Sequence, residues 1–368
     1  MNANKESGTT LDVADPGFWR GRRVLITGHT GFKGSWLSTW LVRLGSKVTG
    51  VALDPHTDPA MFNLLGLTEH MDSHIVDIRD AAALEKAVQA CQPEIIIHMA
   101  AQALVRESYT DPVGTFMTNV MGTAHVLEAA RGAKNLGAVV IITSDKCYEN
   151  REWVWGYREN DAMGGSDPYS ASKGCAELVT ASYRQSFGDD ISIASARAGN
   201  VIGGGDWSQD RLIPDFVRAI EANKAIQIRY PGAIRPWQHV MEPLAGYLLL
   251  AERLFTSGSQ YADAWNFGPS IEDAQPVSAL VDRLSQKFDS QASWQVDAGE
   301  HPHEARFLKL DISKAVSDLG YRPRISLDTA LDWTAEWYRA YFDGQDMLDV
   351  TQQQIDDFRR RLPQTPSP

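Results

Sequence analysis

The sequence predicts an α/β fold, a doubly wound parallel sheet with a smaller, discontinuous α/β domain set against it. Three observations predict it. Short aliphatic and β-branched runs alternate with stretches of helical periodicity over the first 200 residues. A glycine-rich turn follows the first of those runs and opens the first helix. After Asn200 the alternation stops, as expected where a second domain begins.

Taken in order, Arg23-Val24-Leu25-Ile26-Thr27 reads as a buried strand preceded by a polar leader, and the apolar stretch from Ser35 to Leu44 as the helix that follows. Lys47 to Leu53, Ser73 to Val76, Glu94 to Met99, Ala138 to Thr143 and Ile191 to Ala196 read as the next five strands, with helical patterns between. Beyond Asn200 come a glycine loop, a helix from Ile213 to Ala222 and short irregular segments, and the last third is richer in Trp, Arg and Pro. We expect residues 1–200 and 236–268 to form the larger domain. Residues 201–235 and 269–352 are expected to form the smaller one, over the carboxyl edge of the sheet, with 353–368 as a tail.

A chain of 368 residues with 43% hydrophobic content buries a large core. Its net charge of -12 argues against a nucleic-acid or acidic-membrane surface, because both rely on clustered Lys and Arg. The three cysteines, Cys91, Cys147 and Cys175, form no C-x-x-C motif, and their odd number argues against a disulfide framework. The first twenty residues carry acids and a proline where a signal peptide needs an apolar stretch, and no apolar run approaches membrane-spanning length. A reduced, cytoplasmic setting is expected, and no metal site.

Thr27-Gly28-His29-Thr30-Gly31-Phe32-Lys33-Gly34 has the spacing G-x-x-G-x-x-G between a strand and a helix, as in Rossmann-type dinucleotide sites. Glycine there permits a tight turn and close backbone approach to a pyrophosphate resting on the helix N-terminus. Asp54, about twenty residues past the last glycine, suits the ribose hydroxyls and repels a 2'-phosphate, which favours NAD over NADP. An Asp-Pro turn explains the same residue equally well. Asp77-Ile78 and Ala100-Ala101-Gln102 follow the third and fourth strands, where strand ends line the adenine and nicotinamide halves.

Tyr169 and Lys173 are four residues apart, hence on one helix face, after an Asp167-Pro168 helix start. A neighbouring ammonium is expected to lower the phenol's pKa and make it a base. Thr143-Ser144-Asp145-Lys146 sits at the carboxyl end of a buried strand, the edge where ligands bind in such sheets.

Together these segments, with Asn119-Val120-Met121-Gly122-Thr123 and Ala196-Arg197-Ala198-Gly199-Asn200, resemble the extended short-chain dehydrogenase/reductase family over roughly residues 20 to 340. Within it, sugar-nucleotide 4,6-dehydratases carry a hydroxyl residue, an acid and a base in a row, matching Ser144, Asp145 and Lys146. Most branches have Glu third. Lysine there, with Trp153-Val154-Trp155-Gly156-Tyr157 and Gly203-Gly204-Gly205-Asp206-Trp207, is similar to the branch that acts on CDP-glucose.

The resemblance implies C4 oxidation, loss of water across C5/C6 and return of hydride to C6, with Lys146 as the C5 base and Asp145 as the C6 acid. It implies a cofactor set of Gly28, Gly31, Phe32, Lys33, Gly34, Asp54, Asp77, Ile78, Ala100, Ala101, Gln102, Asn119, Thr143, Tyr169 and Lys173 around NAD. Asn200, Arg211, Leu212, Arg235 and Arg306 would hold the nucleotide sugar, and helices near 112–131 and 168–187 would form a homodimer, or the dimers of a tetramer. The implied setting is deoxysugar supply for lipopolysaccharide O-antigen. Three alternatives stay open: a nucleotide-sugar 4-epimerase, a dehydratase acting on a dTDP- or GDP-sugar, and a protein that binds NAD without turnover. The resemblance alone chooses cytosine. Trp153, Trp155, Trp207 and Trp237 could stack on a base or fill core.

Overall fold

A computed structural model describes residues 13–270, 274–288, 294–297, 299, 307–361 and 363. Its centre is a parallel sheet of β1 (Arg23–Thr27), β2 (Lys47–Ala52), β3 (Asp72–Ile75), β4 (Ile95–His98), β5 (Ala138–Ile142), β6 (Ile193–Ala198) and, after β7 (Asn200–Ile202), β8 (Ile226–Ile228) and β9 (Ile234–His239), the edge strand β10 (Ala264–Phe267). The order is β10-β6-β5-β4-β1-β2-β3. The strand order reverses between β1 and β4, so a crevice opens at their carboxyl ends, the usual ligand position in doubly wound sheets. The register pairs Thr27 with His98 and Ile142 with Ala196, which brings the strand ends level along that crevice.

Strands β4, β5 and β6 are buried throughout because helices cover both faces; β5 is a continuous apolar run, whereas β4 ends in His98 and β6 carries Ser195 and Arg197, whose polar groups are bonded internally. One face packs on Trp36, Leu37, Trp40 and Leu41 of the helix Phe32–Arg43 and on the helix Met241–Ser257. Leu84, Val88, Val126 and Leu127 cover the other.

Two smaller sheets accompany this one. β9 pairs in parallel with β7 and antiparallel with β11 (Ala274–Pro276), and β8 pairs with β12 (Trp294–Val296). β9 runs straight across the junction expected at 235/236.

Three expectations need correction. The sixth strand runs from Ile193 to Ala198, two residues later than expected, because Arg197 does not end it. The polar leader contains a short helix, Pro16–Trp19, capped by Asp15, and Trp19 is fully buried in the core. Residues 353–360 are no tail, because they complete the helix Met347–Arg360, whose Ile355 and Phe358 are buried and whose Phe358 meets Trp40 edge-on at 5.7 Å. Among the described residues no helix is long and apolar enough to cross a membrane.

Candidate active site

The glycine turn is built from three different constraints. Gly28 has φ +79°, and a Cβ there would stand 2.7 Å from the Ala100 nitrogen at the end of β4. A Cβ at Gly34 would stand 2.1 Å from the Gly28 carbonyl oxygen, so the helix reaches the turn only because residue 34 has none. At Gly31 the nearest atom to such a Cβ is 3.5 Å away. Nothing inside the protein requires glycine there. Gly31 also caps the helix Phe32–Arg43 with no side chain bonded to its first N–H groups, and a pyrophosphate fits that arrangement.

The other residues expected around the cofactor divide. Asp54 is exposed just past β2. Asp77 is bound to Arg79, whose guanidinium donates to it at 2.6 and 2.9 Å and holds its carboxyl below the usual range. Ile78 is buried against Gly122. Asn119 accepts from the Gln102 nitrogen at 2.8 Å and donates to the Gln102 carbonyl at 2.9 Å and to Ser172 at 2.8 Å. The Gln102 amide is bonded to Leu104 and Thr115. The Asn119 amide therefore ties the Ala100–Leu104 loop to the helix carrying Tyr169, the Gln102 amide ties it to the helix Pro112–Phe116, and the polar groups of both are already engaged. Lys33 lies inward among charged groups, where burial, then Arg211 and Lys173, push its pKa down to about 8.

Tyr169 and Lys173 lie on the helix Pro168–Phe187, which Asp167 caps by accepting from Ser170 N at 2.9 Å, with proline in the first position. Gly174 lets this helix approach the turn after β5 closely: a Cβ there would be 3.2 Å from the Cys147 carbonyl oxygen. That turn, Asp145–Cys147, starts where Ser144 Oγ accepts from Lys146 N at 3.2 Å and donates to Asp145 Oδ1 at 3.0 Å.

Burial dominates the electrostatics here. It pushes the Asp145 carboxyl up, against the pull of Lys146, Ser144, Arg235 and Lys33, which suits a proton donor. The phenol of Tyr169 does not show the expected fall. Burial lifts it to about 12, opposed by the Ser144 hydroxyl and the charge of Arg211. Lys173 is itself pushed down by burial to about 8, held up by Glu177, and donates to the Ile142 carbonyl oxygen at 3.5 Å. Lys146 is half-buried and has no direct ion pair among the described residues.

Arg211 opens the helix Leu212–Glu221, donates to Asp206 at 3.0 Å, and acts on both Lys33 and Tyr169, so it faces the same cleft. Leu212 follows it, half-buried. Arg235, on β9, acts on Asp145 as well, and Asn200 opens β7 beside Trp237. Arg306, with the run from His303, lies outside the described residues. Trp207 and Trp237 are buried core residues, Trp153 stacks on Tyr157, and Trp155 is exposed.

Two features were missed from sequence. Lys309 joins Gly199, Pro236 and Gly268 around a small pocket; Gly199 abuts Asp145, where a Cβ would stand 2.8 Å from the carboxylate. No motif signals Lys309. The second is a buried Glu177–Arg197 ion pair behind the Asp145–Cys147 turn, at 2.7 Å. An arginine inside a run of small buried strand residues was the available signal, because such a charge requires a partner.

The sheet, the glycine turn, the Tyr169–Lys173 helix and the Ser144–Asp145–Lys146 strand end define an extended short-chain dehydrogenase/reductase. The model of the family described as GDP-mannose 4,6 dehydratase matches residues 25–334, and the chain belongs to that family. It is 53% identical over 353 residues to a CDP-glucose 4,6-dehydratase of Salmonella typhimurium, covering 94% of this chain and 98% of that one. To UDP-glucuronate 4-epimerase 3 of Arabidopsis thaliana it is 28% identical over 342 residues, covering 88% and 78%. The crystal structure of DesIV, a dTDP-glucose 4,6-dehydratase of Streptomyces venezuelae with NAD bound, superposes with a TM-score of 0.76 over 89% of this chain and 99% of its own, at 24% identity, which speaks to the fold alone.

Proposed function

We propose that the chain is an NAD-dependent lyase that converts CDP-D-glucose to CDP-4-keto-6-deoxyglucose. The observation that carries this reading is the Asp145–Lys146 pair, set at the end of β5 beside Tyr169 and Ser144. A 4-epimerase shares the glycine turn and the tyrosine–lysine helix but has no use for an acid and a base there. The 53% identity to a CDP-glucose 4,6-dehydratase supports the choice of substrate.

NAD, when bound, would supply the hydride acceptor for C4 and the hydride donor for C6. The protein's residues move the protons. Tyr169, hydrogen-bonded by Ser144, would take the C4 hydroxyl proton as the phenolate, a form that the positive charge of bound oxidised nicotinamide beside it would favour over the buried phenol. The resulting ketone acidifies C5–H, which Lys146 removes. Asp145, kept protonated by burial, gives its proton to the C6 oxygen, so that water leaves and a C5=C6 double bond conjugated to the ketone remains. A proton returned at C5 completes the turnover. Gly28, Gly31, Phe32, Lys33 and Gly34 cradle the pyrophosphate, Asp54 takes the ribose, and Arg211, Arg235, Arg306, Asn200 and Leu212 hold the nucleotide sugar, with the pieces 201–235 and 269–352 as its cover.

The same reading includes a homodimer. Tyr109, Val113, Phe116, Met117, Met121 and Leu178 are exposed on neighbouring helices that pack together, an apolar face suited to a second copy. It also includes a cytoplasmic setting, consistent with three free cysteines, and a role in making deoxysugars for bacterial lipopolysaccharide.

Offering the purified protein CDP-, dTDP- and GDP-glucose tests the function. A 4-keto-6-deoxy product from CDP-glucose, without net accumulation of NADH, is expected. A C4 epimer, or preference for another base, would overturn it.

A further inference from the structure

Behind the catalytic turn lies a polar network the proposed chemistry does not use. Glu177 is buried on the catalytic helix, one turn past Lys173. One of its oxygens accepts from Thr143 Oγ1, and the other accepts from Ser195 Oγ and Arg197 Nη2, each at 2.7 Å. Arg197, also buried, donates through Nη1 to the Tyr148 hydroxyl at 2.6 Å and to the Glu159 carbonyl at 3.0 Å. The Tyr148 hydroxyl donates in turn to Asn266 at 2.8 Å.

The attachment points matter. Thr143 immediately precedes Ser144, and Tyr148 immediately follows Cys147. The ion pair thus grips the catalytic turn at both ends, while its third anchor, Ser195, lies on the adjacent strand. Stability alone explains such a pair poorly, since desolvation of two buried charges cancels much of their attraction. Fixing a geometry is the better-supported use.

We propose that Glu177 and Arg197 are positioning residues that clamp residues 143 and 148 and thereby set the aim of Asp145 and Lys146 for the elimination step. The inference rests on the dehydratase reading above. Tyr169 stands at the capped start of the helix that also carries Glu177, and its link to the clamped segment is the Ser144 hydroxyl, whereas Asp145 and Lys146 lie wholly within that segment, so water loss depends on the clamp more than C4 oxidation does.

Tyr148→Phe is the mildest perturbation. It deletes the hydroxyl between Arg197 and Asn266 and keeps the ring stacked on Tyr157. Arg197→Lys is the second variant: a single ammonium cannot serve Glu177 and Tyr148 together as a guanidinium fork does. The parent and both variants, each loaded with NAD, are followed in a single turnover of CDP-glucose. We expect elimination to slow by roughly ten- to a hundredfold while C4 oxidation changes by less than about threefold, with reduced nicotinamide accumulating transiently. Equal slowing of the two steps, selective slowing of oxidation, or no slowing in either variant overturns the clamp. A parent that forms no 4-keto-6-deoxy product overturns instead the function on which the clamp rests.

Discussion

Gly31→Ala and Gly34→Ala change the same turn by one methyl group each, and the structure predicts that they fail in different ways. At Gly34 the methyl would meet backbone, 2.1 Å from the Gly28 oxygen and 2.7 Å from the His29 Cα, so the helix must move away from the turn. Overpacking of this kind costs about 1–3 kcal/mol. At about 2–4 °C per kcal/mol, the melting temperature should fall by roughly 2–12 °C. At Gly31 the methyl's nearest neighbour would be 3.5 Å away and the backbone is ordinary, with φ -79°. There the loss should stay within about 1 kcal/mol, the usual difference between glycine and alanine as an N-cap. The Gly31 methyl would, however, stand where the pyrophosphate must approach the first N–H groups. Affinity for NAD should drop at least about tenfold, or 1.4 kcal/mol. Thermal unfolding without cofactor and calorimetric titration with NAD separate the two effects. If Gly31→Ala binds NAD as tightly as the parent, or melts as early as Gly34→Ala, the assignment of this turn to the cofactor is wrong.

Glu252 accepts from the Trp19 indole at 2.5 Å and from Asp15 N at 3.0 Å, and burial lifts its pKa from 4.5 to about 7. A carboxyl raised in the folded state stabilises it below the ordinary value, and that stability is lost as pH climbs through 7. Denaturant unfolding between pH 5 and 8 should therefore show the parent losing about 1–3 kcal/mol relative to Glu252→Gln, and parallel curves would contradict this. Arg235→Ala should raise KM for CDP-glucose at least about tenfold through the loss of a charged contact to the diphosphate, and an unchanged value removes Arg235 from the site. Leu178→Arg should convert a dimer to monomers in sedimentation, because it sets a charge in the proposed apolar face; an unaltered dimer would move the interface elsewhere.

The features legible in the sequence were those with a period or a fixed spacing. Strands and helices of the sheet alternate with the chain, so β1 to β5 fall within a residue or two of where their apolar runs lie. What escaped depended on partners distant in sequence. Arg197 looks like the end of a strand until Glu177, twenty residues earlier in the chain, is known to neutralise it. Trp19 looks like part of a polar leader until Glu252 is known to receive its indole N–H. Phe358 looks like tail until Trp40 is opposite. At the site, the motif residues converge, whereas the amides of Asn119 and Gln102 turn out to hold a loop in place. The raised phenol of Tyr169 was hidden for a related reason: sequence reveals the nearby lysine but not how completely both groups leave water.

Solvent exchange at C5 reads the Asp145–Lys146 pair most directly. Turnover of CDP-glucose in deuterium oxide should place one deuterium at C5 of the product made by the parent. With Lys146→Ala, reduced nicotinamide should still form in a single turnover while deuterium entry at C5 is suppressed. Exchange at the parental rate in that variant would mean that another group takes the proton, and the role given to this lysine would have to be abandoned.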